Sequence, residues 1–161
     1  MKITFIQTGG TIDKDYPKTM KGYAFEFGVP ATQRILEKIH PPFDYNIITA
    51  FQKDSLAITD DDRQELVDLI LKQDTSNIII THGTDTLVMS ARFIFSQIKN
   101  KVIVLTGAMR PERFTNSDAD LNLGGAIVAV QTLPNGVYIV MNGIVAAFDK
   151  IQRNLETGQF Y

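Results

Sequence analysis

Two stretches of this sequence share one pattern and decide the fold. Residues 3–12 are ITFIQTGGTI, and residues 78–86 are IIITHGTDT. Each begins with an apolar, β-rich run that is typical of a buried strand, and each then passes into threonine and glycine. In a chain that alternates strands and helices, both turns would lie at the carboxyl edge of one parallel sheet. Open α/β sheets bind their ligands at that edge.

The rest of the chain continues this alternation. Three more apolar runs predict strands, at 45–51, 102–105 and 137–141. Four segments with helical spacing of apolar residues separate the strands, and they begin near Pro30, Thr59, Leu87 and Ser117. The pattern predicts an α/β fold with a doubly wound, mostly parallel sheet and helices on both faces, a three-layer arrangement of the flavodoxin or Rossmann type. Asn142-Gly143 predicts a C-terminal hairpin.

The last predicted helix carries two local signals. Ser117 is followed three residues later by Asp120, a spacing that predicts a cap at the helix start. Gly124 and Gly125 lie inside the helix, where each glycine costs about 1 kcal/mol against alanine. We therefore expect a neighbouring element to pack closely against both glycines.

Composition excludes several classes of function. The 161 residues fit one domain, and a net charge of −2 with mixed signs predicts neither a nucleic-acid partner nor an anionic-membrane partner. The absence of cysteine excludes disulfides, thiol catalysis and thiolate metal sites. The apolar runs are too short to cross a bilayer. We expect a cytoplasmic protein whose partner is a small molecule.

The two turns hold groups suited to nucleophilic chemistry. Thr11 supplies a hydroxyl, which becomes a nucleophile when another group takes its proton, and Gly10 allows close backbone approach to a substrate. Backbone N–H groups there could stabilise an oxyanion. Thr84 adds a second hydroxyl, and Asp85 a carboxylate that would hold a substrate ammonium group or orient a proton acceptor. Taken singly, each residue also fits an ordinary loop or helix cap.

No motif indicates a metal or a cofactor. His82 has no second histidine or cluster of acids beside it, so it is interpreted as a strand-end residue whose hydrogen bonds are satisfied. The paired glycines at 9–10 and 124–125 fit neither a phosphate-binding loop nor a dinucleotide fingerprint. The sequence predicts no cofactor, no metal and no nucleotide site.

The combination of three motifs is far more specific than its parts. TGGTI at 8–12, HGTDT at 82–86 and TGAMRP at 106–111 resemble the amino-terminal domain of the bacterial-type L-asparaginases. That family includes glutaminase-asparaginases and the amidohydrolase subunit of an archaeal tRNA amidotransferase. The resemblance runs from Lys2 to about Arg153. It implies hydrolysis of a side-chain amide through a threonine acyl-enzyme, with release of ammonia.

The resemblance implies roles for individual residues. Thr11 matches the nucleophile. Tyr23 matches a tyrosine that closes over the substrate and supports the nucleophilic threonine. Thr84 and Asp85 match a second threonine and an aspartate that also contacts the substrate's α-amino group. The substrate-binding positions it implies are Gly10, Asp54, Ser55, Gly83 and Ala108.

Two places depart from the family pattern. The family carries a lysine late in this domain, and counting from residues 140–142 places that position on Arg153, with Lys150 as the alternative. Arginine stays protonated, so it can orient the aspartate but cannot relay a proton as lysine does. Leu56 and Ala57 stand where the family has a polar residue and an aspartate, which predicts a weaker grip on a zwitterionic amino acid.

The resemblance also implies a domain organisation. We expect residues 1–161 to form one asparaginase-type amino-terminal domain, with the family's carboxyl-terminal domain absent from this chain. Uncovered apolar surface would then favour a homo-oligomer. The leading function is hydrolysis of asparagine, or a related small amide, to the acid and ammonia. Two alternatives stay open: a weak or inactive module that binds small amino acids, and an amidohydrolase subunit completed by a partner chain.

Overall fold

The computed structural model describes residues 1–18 and 25–161, which form a central sheet with helices on both faces. The strands in chain order are β1 (Lys2–Gly9), β2 (Lys14–Asp15), β3 (Glu26–Phe27), β4 (Asp44–Lys53), β5 (Asn77–Thr81), β6 (Val102–Thr106), β7 (Gly136–Met141) and β8 (Ile144–Ala147). The helices are α1 (Ala31–Ile39), α2 (Asp60–Leu71), α3 (Leu87–Gln97) and α4 (Ala119–Thr132). In these two ranges no helix has the length and apolar character to span a membrane.

The main sheet has the order β4-β1-β5-β6-β7-β8. The first five strands are parallel, and β8 returns antiparallel to β7. The register places Gln7 beside Thr81, and Thr81 beside Thr106. The turns that follow β1, β5 and β6 therefore leave the sheet next to one another. The predicted doubly wound, mostly parallel sheet and its C-terminal hairpin are confirmed.

Two hydrophobic layers enclose this sheet. Helices α1 and α4 pack on one face, where Phe5 and Ile79 point, and α2 and α3 pack on the other, where Ile6 and Ile80 point. Neighbouring residues of one strand point to opposite faces, so a continuous apolar run is required when both faces are covered. This requirement explains why β1 and β5 contain unbroken runs of buried residues.

Two short strands, β2 and β3, follow the first strand of the main sheet and form a separate antiparallel pair. Lys14 pairs with Phe27, and Asp15 pairs with Glu26. Tyr23, the loop tyrosine that the sequence singled out, lies outside the described residues.

Local sequence signals explain two element ends. At the start of α2, the Thr59 hydroxyl accepts a hydrogen bond from the Asp62 N–H (3.2 Å), and the Asp62 carboxylate accepts one from the Thr59 N–H (2.9 Å). This reciprocal pair satisfies two helix-end donors. Between β7 and β8, Asn142 (φ 53°) and Gly143 (φ 83°) both adopt the left-handed conformation that a tight hairpin requires.

The structure corrects two details of α4. The predicted pairing of Ser117 with Asp120 does not form, because α4 starts after Asp118, whose carboxylate turns toward the preceding loop. The Ser117 hydroxyl instead accepts a hydrogen bond from the Ala119 N–H, the first of the helix (3.1 Å). Close packing is confirmed for Gly125, where a Cβ atom would lie 2.9 Å from a methyl group of Val140. Gly124 faces open space, so its predicted close contact is wrong.

The tail of the chain folds back on itself. Gln152 and Tyr161 exchange two backbone hydrogen bonds of 2.9 and 3.0 Å. Within that loop the Asn154 N–H donates to the Gln159 carbonyl (2.8 Å), and Gly158 supplies a left-handed turn (φ 75°). Phe160 anchors the segment in the core layer formed with α2 and α3. We name residues 152–161 the tail loop.

Candidate active site

Three glycines allow the turns at the carboxyl edge to touch. Gly10 (φ 83°) lies against the backbone of Gly83, so closely that a Cβ atom on Gly10 would overlap it. Gly83 lies in turn against Ser55, whose Cβ would be 2.7 Å from a Cβ on Gly83. Gly107 packs against the His82 carbonyl. The turns after β1, β5 and β6 thus meet backbone to backbone, as the sequence predicted for β1 and β5, and the Ser55 side chain joins the turn after β4 to them.

Thr11 opens a short 3-10 turn, Thr11–Asp13, directly after β1. Its side chain is half-buried, and the following Ile12 is buried in the core. The Gly10 N–H donates to the Lys53 carbonyl (3.0 Å), and the Glu112 N–H donates to the Ile12 carbonyl (3.2 Å). The candidate nucleophile is therefore carried by a turn fixed on both sides to other elements.

Asp13 completes that turn and is fully buried. Its carboxylate accepts a hydrogen bond from the Ala31 N–H at the start of α1 (2.8 Å) and one from the Thr81 hydroxyl at the end of β5 (3.4 Å). Burial raises the pKa of Asp13 to about 6, although the Ala31 N–H and the Arg34 charge oppose the shift. Asp13 thus links the Thr11 turn to the strand that leads to Thr84.

Thr84 and Asp85 lie between the end of β5 and the start of α3. Thr84 is buried, and its methyl carbon would lie 3.8 Å from a Cβ on Gly107. Asp85 is 44% exposed, and its Oδ1 pairs with Nη1 of Arg153 at 2.7 Å. The Thr86 hydroxyl donates to the Ser55 carbonyl (2.8 Å), which joins this segment to the turn after β4.

Arg153, and not Lys150, is the cation beside Asp85. The tail loop brings the Arg153 side chain against that carboxylate and leaves it only 14% exposed. Lys150 pairs with its neighbour Asp149 (3.3 Å), and its side chain is 75% exposed. The alternative that Lys150 takes this position is therefore not supported by the structure.

The turn after β4 brings the other predicted binding residues to the edge. Ser55 is buried, and its hydroxyl oxygen has no hydrogen-bond partner among the described residues. Asp54 is exposed and pairs with Lys14 of β2 at 2.8 Å. Leu56 is 78% exposed, so an apolar side chain stands beside Ser55.

The loop after β6 holds Ala108 in place. Ala108 is buried, and the next two backbone N–H groups, of Met109 and Arg110, donate to the Asp118 carboxylate at 3.0 and 3.2 Å. The Asn122 amide donates to the Gly107 carbonyl (2.9 Å) on the other side. Sequence reasoning missed the role of Asp118, because the predicted cap of this helix used Ser117 and Asp120 and left Asp118 without a function.

His82 is the remaining titratable group here. It is fully buried, and burial lowers its pKa to about 4. Its Nδ1 lies 2.7 Å from the Gly83 carbonyl, while Nε2 has no partner in the described part of the chain. His82 is therefore neutral at pH 7. The expectation that all its hydrogen bonds are satisfied is confirmed for only one ring nitrogen.

Within residues 1–18 and 25–161, no three His, Cys, Asp or Glu side chains gather closely enough to hold a metal ion. The site that these residues do form consists of hydroxyls, backbone N–H groups and one carboxylate–guanidinium pair. Asp13 was also missed by sequence reasoning. No sequence signal marks this acid as buried, because its hydrogen bonds come from distant residues, Ala31 and Thr81.

The fold and the site together define the class of protein. It is an α/β protein with a doubly wound sheet, and hydroxyls and a carboxylate lie on the turns at the carboxyl edge, where such sheets bind ligands. The family profile described as asparaginase, N-terminal, matches residues 2–157. The chain therefore belongs to the asparaginase family, within its amino-terminal domain.

Individual relatives agree with that assignment. The glutaminase-asparaginase of Acinetobacter glutaminasificans is 28% identical, over 98% of this chain and 52% of that protein. The structure of the thermostable L-asparaginase from Thermococcus kodakarensis has a TM-score of 0.82 and 27% identity, covering 95% of this chain and 48% of that one. A probable cytoplasmic L-asparaginase from Campylobacter jejuni has a TM-score of 0.81 and 25% identity, covering 99% and 52%. The chain spans about half the length of the curated relatives it matches.

Proposed function

We propose that this protein is an amidohydrolase that cleaves the side-chain amide of asparagine, or of a related small amide, through an acyl-enzyme on Thr11. One observation carries the proposal. The Thr11 turn and the Thr84-Asp85 segment meet at the carboxyl edge of the sheet through the backbone contact between Gly10 and Gly83. Membership of the asparaginase family supports the same chemistry.

In the proposed reaction, the Thr11 oxygen attacks the amide carbonyl carbon, and the amide nitrogen leaves as ammonia after gaining a proton. Water then attacks the resulting ester and releases the carboxylic acid and Thr11. Backbone groups at Gly83 and Ala108 contact the substrate, and N–H groups of the turns stabilise the oxyanion. Ser55 and Asp54 lie on the side of the site formed by β4.

Arg153 cannot serve as the proton acceptor in this reaction. A guanidinium stays charged at any relevant pH, so Arg153 orients Asp85 and stabilises charge but does not accept the Thr11 proton. We propose that Thr84 and Asp85 assist the transfer and that Tyr23 supports the nucleophile, as the resemblance implies. Neutral His82 adds no charge to the site.

Ammonia release tests this proposal. We expect the wild type to release ammonia from asparagine, glutamine or a simple amide. Thr11→Ala should release it at least about 100-fold more slowly, because the variant lacks the nucleophile. Thr132→Ala is the matched control, since Thr132 is exposed at the end of α4 and its hydroxyl donates to carbonyls of its own helix. Equal rates for the wild type and Thr11→Ala would contradict the proposal.

A second candidate function follows from the same ion pair. If no group relays the proton, the site is a binding module for a small amino acid or amide. Thermal unfolding with asparagine and aspartate distinguishes the two functions. Stabilisation by ligand without ammonia release would favour the binding module, and turnover would exclude it.

We also propose a cytoplasmic homo-oligomer. Apolar side chains are exposed on segments that adjoin the site: Leu56, Met89, Met109 and Leu155. Exposed apolar side chains that come together in one patch favour association. The likeness to a probable cytoplasmic L-asparaginase supports the location. Light scattering that gives the monomer mass at micromolar concentration would contradict the oligomer.

A further inference from the structure

We propose that the preferred substrate is a monoamide of a dicarboxylic acid that carries no ammonium group, of the succinamate type, in preference to zwitterionic asparagine. This inference names the substrate class and rests on the proposed hydrolytic function. It follows from which hydrogen-bonding groups at the site already have partners and which do not.

The two carboxylates at this part of the edge already have cationic partners. Asp85 pairs with Arg153 at 2.7 Å, and Asp54 pairs with Lys14 at 2.8 Å. A substrate ammonium group would have to compete with an internal cation at either place. Arg153 is a strong competitor because its side chain is only 14% exposed and is already held in position by the tail loop.

The groups left without partners include hydrogen-bond donors. The Ser55 hydroxyl and the Arg153 Nε–H are both buried and have no partner among the described residues. Arginine offers only donors, and a serine hydroxyl has one. Such groups are satisfied by acceptor oxygens, which a carboxylate supplies and an ammonium group does not.

The cleft beside Asp85 is also positively charged. Its volume is about 330 Å³, and it is lined by Val88, Met89 and Leu155 together with Asp85, Arg92, Gln152 and Arg153. Because Arg153 neutralises Asp85, the exposed Arg92 leaves the cleft with a net positive charge. Apolar walls and one excess cation suit a short carbon chain that ends in a carboxylate.

Asparagine therefore carries a positive charge, its α-ammonium group, that a positively charged cleft does not favour. Its carboxylate and amide could bind as those of succinamate do, but its ammonium group would lose water and gain only the second oxygen of the Asp85 carboxylate, whose charge Arg153 already balances. Incomplete pairing of a buried donor costs up to about 1–3 kcal/mol. We expect a preference of at least about tenfold for the substrate without the ammonium group.

The matched pair of substrates for the test is succinamate and L-asparagine, which differ only in the α-ammonium group. We expect kcat/KM for succinamate to exceed that for asparagine by at least about tenfold. Equal values, or a preference for asparagine, would overturn the inference and leave the proposed hydrolytic function intact.

Arg153→Met tests the cause of the preference. Loss of the guanidinium frees the Asp85 carboxylate for an ammonium group, so the ratio of kcat/KM for asparagine to that for succinamate should rise about tenfold. The ratio cancels any loss of rate common to both substrates. Lys150→Met is the matched control: it removes a cation from an exposed position three residues away, and its ratio should stay within about twofold of the wild type.

A binding measurement separates failure of the inference from failure of the proposed function. If neither amide is hydrolysed, the proposed function fails, and thermal-shift titration with the product pair, succinate and L-aspartate, decides the recognition. Stronger stabilisation by succinate supports the inference, and Arg153→Met should reduce that difference. Stronger stabilisation by aspartate, or no stabilisation by either acid, overturns it.

Discussion

At the scale of single residues, the site depends on a glycine that no other residue can replace. Gly10 and Gly143 have the same φ of 83°, but a Cβ on Gly10 would overlap the Gly83 backbone, whereas Gly143 faces open space. Gly143→Ala should cost about 1–2 kcal/mol through strain alone. Gly10→Ala should cost about 1–3 kcal/mol more, because the turns after β1 and β5 must separate. Urea unfolding of both variants measures the difference, and equal losses would contradict this account.

Asp13 predicts a pH dependence of stability. Its pKa is raised to about 6 in the folded state, so the folded state binds the proton more tightly than the unfolded chain does. The stability that protonation contributes is present below about pH 4 and is lost as the pH rises through about 6, by about 3 kcal/mol. Asp13→Asn removes this titration.

Unfolding free energies at several pH values between about 4 and 7 check the Asp13 prediction. The stability of Asp13→Asn relative to the wild type should increase with pH over this range. A constant difference would show that the carboxyl does not titrate in this window. Because Asp13 shares a turn with Thr11, the same variant should also lower kcat more than it changes KM.

At the scale of elements, the start of α2 is the clearest case of sequence dictating structure. The Thr59 and Asp62 side chains each bond the other residue's backbone N–H. Thr59→Ala should cost about 1 kcal/mol of unfolding free energy. Thr132→Ala, at an exposed helix end, should cost less than about 0.5 kcal/mol. A loss for Thr59→Ala no larger than that of the control would contradict the capping role.

The tail loop shows where sequence reasoning was insufficient. Many of its hydrogen bonds join backbone groups, such as those of Gln152 and Tyr161, and almost any side chains are compatible with these. Others depend on a polar side chain, such as that of Asn154, whose amide oxygen accepts from two backbone N–H groups. Gly158 and Asn154 are residue types that favour turns, but the segment has no apolar periodicity that would predict a strand or a helix. Counting along the sequence led to Arg153 as the candidate cation, but its contact with Asp85 depends on the folded tail.

At the scale of the whole molecule, the order of layers could be predicted from apolar periodicity and the turns. Unbroken apolar strands such as β5 require cover on both faces, and this requirement fixed the doubly wound class. The meeting of the Thr11 and Thr84 turns also followed from topology. Long-range contacts of single polar groups, such as Asp13 with Ala31, could not be predicted, because they depend on where α1 starts in space.

The central claim is that Thr11 carries the acyl group during turnover. Acid quenching of the wild type with succinamate or asparagine, followed by mass spectrometry, tests it most directly. We predict a mass increase equal to the acyl group on the peptide that contains Thr11, and no such increase in Thr11→Ala. Undiminished hydrolysis by Thr11→Ala, or an acyl group on another residue, would contradict the claim.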